Sequence, residues 1–225
     1  MKKFLLPLLA AFLSAAPLVA AVDRADLVAR VGSCEAVLQE FQRDPRLAVP
    51  ASVLAKAKAI VIVNQFKAGF IFGVKEGYGV IMVKKSTGKW SLPVLIGAGE
   101  ASLGLQLGAT SIETVYILTD DATPRLLFNE RFRIGVDAKA VIGPKAAEAV
   151  NPEYKVIDTP VLVYTRSTGL FAGATIKAGY IARNDEANFT LYHTLHTLPE
   201  LLYSDWVAAV PEVQPLMNFM QKIAP

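Results

Sequence analysis

The chain has 225 residues, 53% of them hydrophobic and 19% charged, with 23 basic side chains, 20 acidic ones and one cysteine. Such a composition excludes a disordered polymer and a disulfide-built scaffold, and the near balance of charge gives no footprint for nucleic acid. The length left after a leader, roughly 200 residues, fits one domain with one buried core.

In chain order, Lys2 and Lys3 form a basic start, Phe4 to Ala16 is an apolar stretch of 13 residues, and Val19-Ala20-Ala21 offers a small-residue cleavage site. A membrane-spanning helix needs about 20 apolar residues, so residues 1–21 read as a cleaved secretory signal and the mature chain as 22–225. No cysteine follows the small residues, so the usual bacterial lipoprotein signal is absent. Asp23 to Gln42 is expected to be a helix, because Leu27, Val31, Cys34, Val37, Leu38 and Phe41 recur at helical spacing, and Asp44-Pro45 ends it. Cys34 falls on that apolar stripe and is expected to act as a small buried hydrophobe. A short helix is expected from Pro50 to Lys58, then a buried strand over Ala59–Val63. Phe70–Val74 and Tyr78–Lys84 read as two strands joined at Lys75-Glu76-Gly77, and Ser86-Thr87-Gly88 as a hairpin turn before Lys89 to Pro93.

Further on, Val94 to Thr110 is glycine-rich. Strands are expected at Thr114–Leu118, Arg125–Phe128, Val156-Ile157 and Val161–Tyr164, with Ala138 to Ile142 ending at Gly143-Pro144. From Leu191 the chain reads as helical, with Leu198, Leu201, Leu202 and Trp206 on one face and a last helix over Val213–Ile223. A glycine-spaced apolar segment occurs twice, as Gly69 to Gly73 with Gly77-Tyr78 following, and as Gly169 to Gly173 with Gly179-Tyr180 following. Glycine within a strand marks a bulge, a bend or close backbone approach. Together these features predict an α+β fold. Its antiparallel sheet is strongly curved, with barrel closure as the limiting case, and N- and C-terminal helices pack against it.

Catalytic chemistry finds little support. Gly97-Ala-Gly99-Glu-Ala-Ser-Leu-Gly104 misses the dinucleotide spacing, since its third glycine comes five residues after the second rather than three. His193 and His196 are the only histidines; a spacing of three places them on one helical face, but two ligands do not make a metal site. Asp137 is the best lone carboxylate and suits a turn or a cap. The reading is therefore of a protein that is not an enzyme and takes no cofactor and no metal.

Charge distribution is more informative than net charge. Between Lys56 and Lys89 lie seven lysines (Lys56, Lys58, Lys67, Lys75, Lys84, Lys85 and Lys89) against one acid, Glu76. A stretch of that kind is either a solvated face or a surface for an anionic partner. Phe70, Phe72 and Trp90 lie among these lysines. Basic charge interleaved with large aromatics suits an anionic phospholipid surface, the lysines attracting headgroups and the aromatics inserting if exposed. The bland alternative makes the three aromatics ordinary core residues.

Several motifs in fixed order point to a family. The run from Pro50 to Phe70, Gly88 to Pro93, Gly104-Leu105-Gln106-Leu107-Gly108, Gly135-Val136-Asp137 through Gly143-Pro144, and Ser167 to Gly173 together resemble the SYLF domain, also called the Ysc84-type or DUF500 domain. The resemblance covers about Asp26 to Tyr203, and departs where Lys145-Ala146 stands in place of the family's glycine-arginine pair. It implies lipid binding. Eukaryotic members bind phosphoinositides, some bind actin, and many carry SH3 or FYVE domains; bacterial members are exported and stand alone. On that basis the chain is expected to be an exported, periplasmic protein peripheral to a membrane. The open alternative is an envelope structural or protein-interaction module without direct lipid binding.

Overall fold

The structure is a computed structural model, and it describes residues 22–68, 72–103, 109–129, 131–133, 140–142, 160–168 and 179–225. Helix α1 (Arg24–Arg43) and a single turn, α2 (Ala51–Leu54), precede the sheet. The strands are β1 (Ala59–Ala68), β2 (Phe72–Val83), β3 (Val94–Leu103), β4 (Ala109–Leu118), β5 (Arg131–Arg133), β6 (Ala140–Ile142), β7 (Val161–Thr168) and β8 (Tyr180–Arg183). Helices α3 (Asp185–Tyr192), α4 (Leu198–Tyr203) and α5 (Gln214–Ile223) close the chain.

The eight strands form one sheet in the order β5-β8-β3-β2-β1-β4-β7-β6. Every pairing is antiparallel except β6 with β7, which is parallel. The fold is thus α+β with a strongly curved sheet, as the glycine spacing and the terminal helices predict.

β1 lies at the middle of the sheet, and Ala59 to Val63 are all at most 1% exposed. Burial on both faces explains why this run is continuously apolar rather than alternating. One face carries Ile60 and Ile62 and looks toward α1, where the Cys34 thiol lies 3.8 Å from the Ile62 carbonyl oxygen. The helix seats its whole apolar stripe there, with Leu27, Val31, Cys34, Val37, Leu38 and Phe41 buried. Cys34 behaves as a hydrophobe, and burial pushes its thiol pKa up to about 12. α3 and α5 pack on α1 in turn. Asn188 of α3, 2% exposed, accepts from the Leu95 N–H at 2.8 Å and donates to the Leu95 carbonyl at 2.9 Å, so its carboxamide replaces a neighbouring strand.

Several expectations are corrected. Lys75-Glu76-Gly77 is not a turn; β2 runs straight through it, paired with β1 on one side and β3 on the other. Ladder bonds on both edges outweigh the local turn preference of glycine. At Gly79 an added Cβ would lie 2.2 Å from the Ile62 carbonyl oxygen, so this glycine serves close backbone approach. Arg125–Phe128 is not a strand but part of a 3-10 helix, Thr123–Asn129. The Asp120 carboxylate starts that turn by accepting from the Ala122 and Thr123 N–H groups at 2.7 Å each. α2 ends at Leu54, short of Lys58. α3 begins at Asp185, earlier than Leu191, because Asn184 caps it by accepting from the Ala187 N–H at 3.1 Å. Ser86-Thr87-Gly88 does turn the chain, with Gly88 at φ +80°. The expected strand at Val156-Ile157, Asp137, Lys145 and the second glycine-spaced segment before Gly179 lie outside the described residues.

Two glycine substitutions separate close approach from mere flexibility. Gly79→Ala is expected to destabilise the fold by about 2 kcal/mol or more, since backbone rather than a yielding side chain meets the new methyl. Gly97→Ala on β3, with nothing within 4 Å of the added Cβ, is expected to be neutral or slightly stabilising. Urea unfolding midpoints of the two variants check this; equal losses would contradict it.

Candidate functional site

The lysines that are contiguous in sequence divide into two groups in space. Lys58 and Lys84 are direct neighbours, since the Lys84 N–H donates to the Lys58 carbonyl at 2.7 Å. Lys85 and Lys89 lie on the hairpin that follows, where the Lys85 N–H donates to the Lys89 carbonyl at 2.8 Å. Lys56 is two residues before Lys58. These five therefore gather at the end of the sheet where β1 begins and β2 finishes. Lys67 and Lys75 pair with each other at the opposite end of the same two strands. The nine-residue separation from Lys58 to Lys67 amounts to roughly 30 Å of strand, several times the ~8–10 Å screening length in physiological salt. The two groups are therefore screened from each other. Phe72 sits at the start of β2, near Lys75, and Phe70 lies outside the described residues.

Within the larger group, two lysines are already engaged. The Lys84 ammonium donates to the backbone oxygen of Pro225. Lys85 donates to the Ser204 carbonyl at 2.6 Å and pairs with Asp205, which holds the Asp205 carboxyl below the usual carboxylate range. Both contacts fasten the C-terminal segment to the hairpin. The side chains of Lys56, Lys58 and Lys89 are exposed.

Trp90 is not available for insertion. It is 4% exposed, and its indole N–H donates to the Ala224 carbonyl at 2.8 Å. The exposed tryptophan is Trp206, at 69%, directly after the Asp205 that Lys85 holds. Leu195 is 88% exposed, and the His196 ring stands 6.3 Å from the Trp206 ring. Trp206 thus leaves the buried face of α4, where Leu198, Leu201 and Leu202 remain. A Thr197–Glu200 capping box starts α4, and the Thr197 N–H holds the Glu200 carboxyl below its ordinary range. The two histidines do not share a helical face. His193 is the left-handed C-cap of α3, at φ 51°, and His196 follows in the connection to α4. Among the described residues there is no group of three or more His, Cys, Asp or Glu side chains that could hold a metal ion.

A second feature lies on the α1 side of the sheet. Arg30, Asn64, Phe66, Gly77, Tyr78 and Ser111 line an open cleft of about 510 Å³. None of these was singled out from sequence as a site residue. The available signal was Asn64-Gln65, where the apolar run of β1 turns polar.

Residues 99–223, more than half of the chain, match the family model described as "Ysc84: Las17-binding protein actin regulator". The chain belongs to the Ysc84 family. Among curated relatives, it is 31% identical to LAS seventeen-binding protein 3 of Saccharomyces cerevisiae over 179 residues, 78% of this chain and 39% of that protein. It is similar to Protein YSC84 of the same yeast at 31% over 180 residues, 78% of this chain and 38% of that protein. It is 28% identical to SH3 domain-containing YSC84-like protein 1 of Bos taurus over 175 residues, 75% of this chain and 51% of that protein. The matched region is therefore about half or less of each of these Ysc84-family proteins. The family description and the name of the first relative state binding or regulation, and none of these names states an enzyme. No solved structure matches the chain.

Two tryptophans in such different surroundings give a direct check. In the Trp90→Phe variant, emission from Trp206 is expected to be strongly quenched by acrylamide. In Trp206→Phe, emission from Trp90 is expected to be blue-shifted and protected. Similar quenching of both variants would contradict the placement.

Proposed function

We propose that this protein is a non-enzymatic, exported protein that associates with anionic phospholipid surfaces. The observation that carries the reading is the Lys85–Asp205 pair, which sets the exposed Trp206 next to the hairpin end of the sheet, where Lys56, Lys58 and Lys89 are exposed. A lysine beside an anionic surface contributes about 1 kcal/mol, and tryptophan favours the boundary between headgroups and acyl chains. Lys85 at the same end holds the segment that bears Trp206. Export to the periplasm rests on the basic and apolar pattern of residues 1–21, which lie outside the described residues. Among the described residues no helix is long and apolar enough to cross a membrane, so the proposed contact is peripheral.

A second reading is a protein-interaction module. It is favoured by the family description, which states Las17 binding and actin regulation, and by a relative named for LAS seventeen binding. The matched region is 39% of the relative named for that binding, and the binding its name states is not tied to that region.

Cosedimentation with vesicles separates the two. Wild type is expected to pellet with phosphatidylcholine vesicles containing phosphatidylglycerol and to be released by high salt. The combined Lys56→Glu, Lys58→Glu and Lys89→Glu variant is expected to bind at least about tenfold more weakly, given roughly 1 kcal/mol per lysine, with its melting temperature unchanged. Unchanged binding by the variant would overturn the lysine assignment. Absence of wild-type binding to any vesicle would favour the protein-interaction reading.

A further inference from the structure

The cleft beside α1 is remote from the lysine end and has its own chemistry. Register places Asn64 of β1 opposite Tyr78 of β2, and Phe66 of β1 opposite Ser111 of β4. These four share the face of the sheet on which α1 lies. Arg30 and Ser33 are three residues apart on α1 and reach the same floor. The hydrogen bonds can be counted. Ser111 Oγ donates to Asn64 Oδ1 at 3.5 Å. Asn64 Nδ2 donates to Ser33 Oγ at 3.1 Å and to the Tyr78 hydroxyl at 3.4 Å. The Tyr78 hydroxyl donates to Ser33 Oγ at 3.1 Å. Ser33 Oγ thus accepts twice, and its own proton has no acceptor among the described residues. Arg30 lies 5.2 Å over the Tyr78 ring centroid and, among the described residues, donates to no carboxylate or carbonyl. A guanidinium stacked on a ring keeps its in-plane N–H groups free to bond. On β4, Glu113 opposite Asn64 accepts from Arg166 Nε at 2.6 Å.

The cleft therefore has spare donors, a fixed positive charge and an exposed aromatic, Phe66 at 58%, at its side. We infer that this cleft binds a phosphate group, held by the Arg30 guanidinium and the Ser33 hydroxyl, with Phe66 beside whatever apolar portion the phosphate carries. An anion taking hydrogen bonds from a charged fork and from a hydroxyl of the adjoining helical turn suits the several oxygens of phosphate. The same chemistry could be offered by a lipid headgroup or by free phosphate.

Calorimetric titration of the full chain with inorganic phosphate and, separately, with monomeric dihexanoyl phosphatidic acid tests this. Wild type is expected to bind the lipid saturably, and Arg30→Gln to weaken binding by about tenfold or more. Phe66→Ser is expected to weaken the lipid but not inorganic phosphate. Inorganic phosphate bound as tightly as the lipid would retain the anion site and make free phosphate its ligand. Ser33→Ala, a smaller change within α1, should weaken both ligands and so guards against a misfolded Arg30 variant. Saturable binding of neither ligand, or equal binding by Arg30→Gln, overturns the inference. The lysine-end triple variant should still bind, so failure here and failure at the vesicle surface are distinguishable.

Discussion

Burial of β1 on both faces is the constraint from which the rest follows. A strand flanked by β2 and β4 and covered by α1 must be apolar at every position, and Ala59 to Val63 are. Close approach of β2 then requires glycine at position 79, where any side chain would enter the β1 backbone. The helix that covers the strand must carry a matching stripe, and its one thiol is sealed into that seam. Beyond Ile62 the covered face turns polar at Asn64 and then exposed at Phe66. The cleft is thus the place where the helix stops sealing the sheet.

The second organising contact joins the turn region 84–90 to the C-terminal segment. The 85–89 hairpin receives the C-terminus through the indole of Trp90 and the ammonium of Lys84, and it receives the 204–205 segment through Lys85. These bonds spend two lysines and one tryptophan on structure. They also bring Trp206 out beside the remaining lysines. A positive hairpin can therefore serve the fold and the surface with different side chains.

Much of this was legible in sequence, and the failures have specific causes. Helical spacing located α1 and placed Cys34 on its buried stripe, because the apolar residues repeat at helical period from Leu27 to Phe41. The lysine count was correct but its geometry was not: a strand of ten residues carries its two ends far apart, so neighbours in sequence became two groups. Trp90 and Trp206 exchanged their expected roles. Trp90 sits among lysines in sequence, but its hydrogen-bond partner comes from Ala224, a contact that no local pattern reveals. Trp206 fits the helical spacing of Leu198 and Leu202, but α4 ends at Tyr203 before that spacing is realised. Glycine at Lys75-Glu76-Gly77 suggested a turn because local preference was read without the two flanking strands. The cleft escaped because it is assembled from one helix and three strands, each giving one or two unremarkable polar residues.

In the proposed mode of association, the end bearing Lys56, Lys58, Lys89 and Trp206 meets the lipid surface. Hydrogen exchange read by mass spectrometry, with and without phosphatidylglycerol vesicles, tests it most directly. Slowed exchange is expected in peptides spanning residues 84–90 and 193–206, with the core of β1 unchanged. Slowing confined to other segments, or none under conditions where the protein pellets with vesicles, would contradict it.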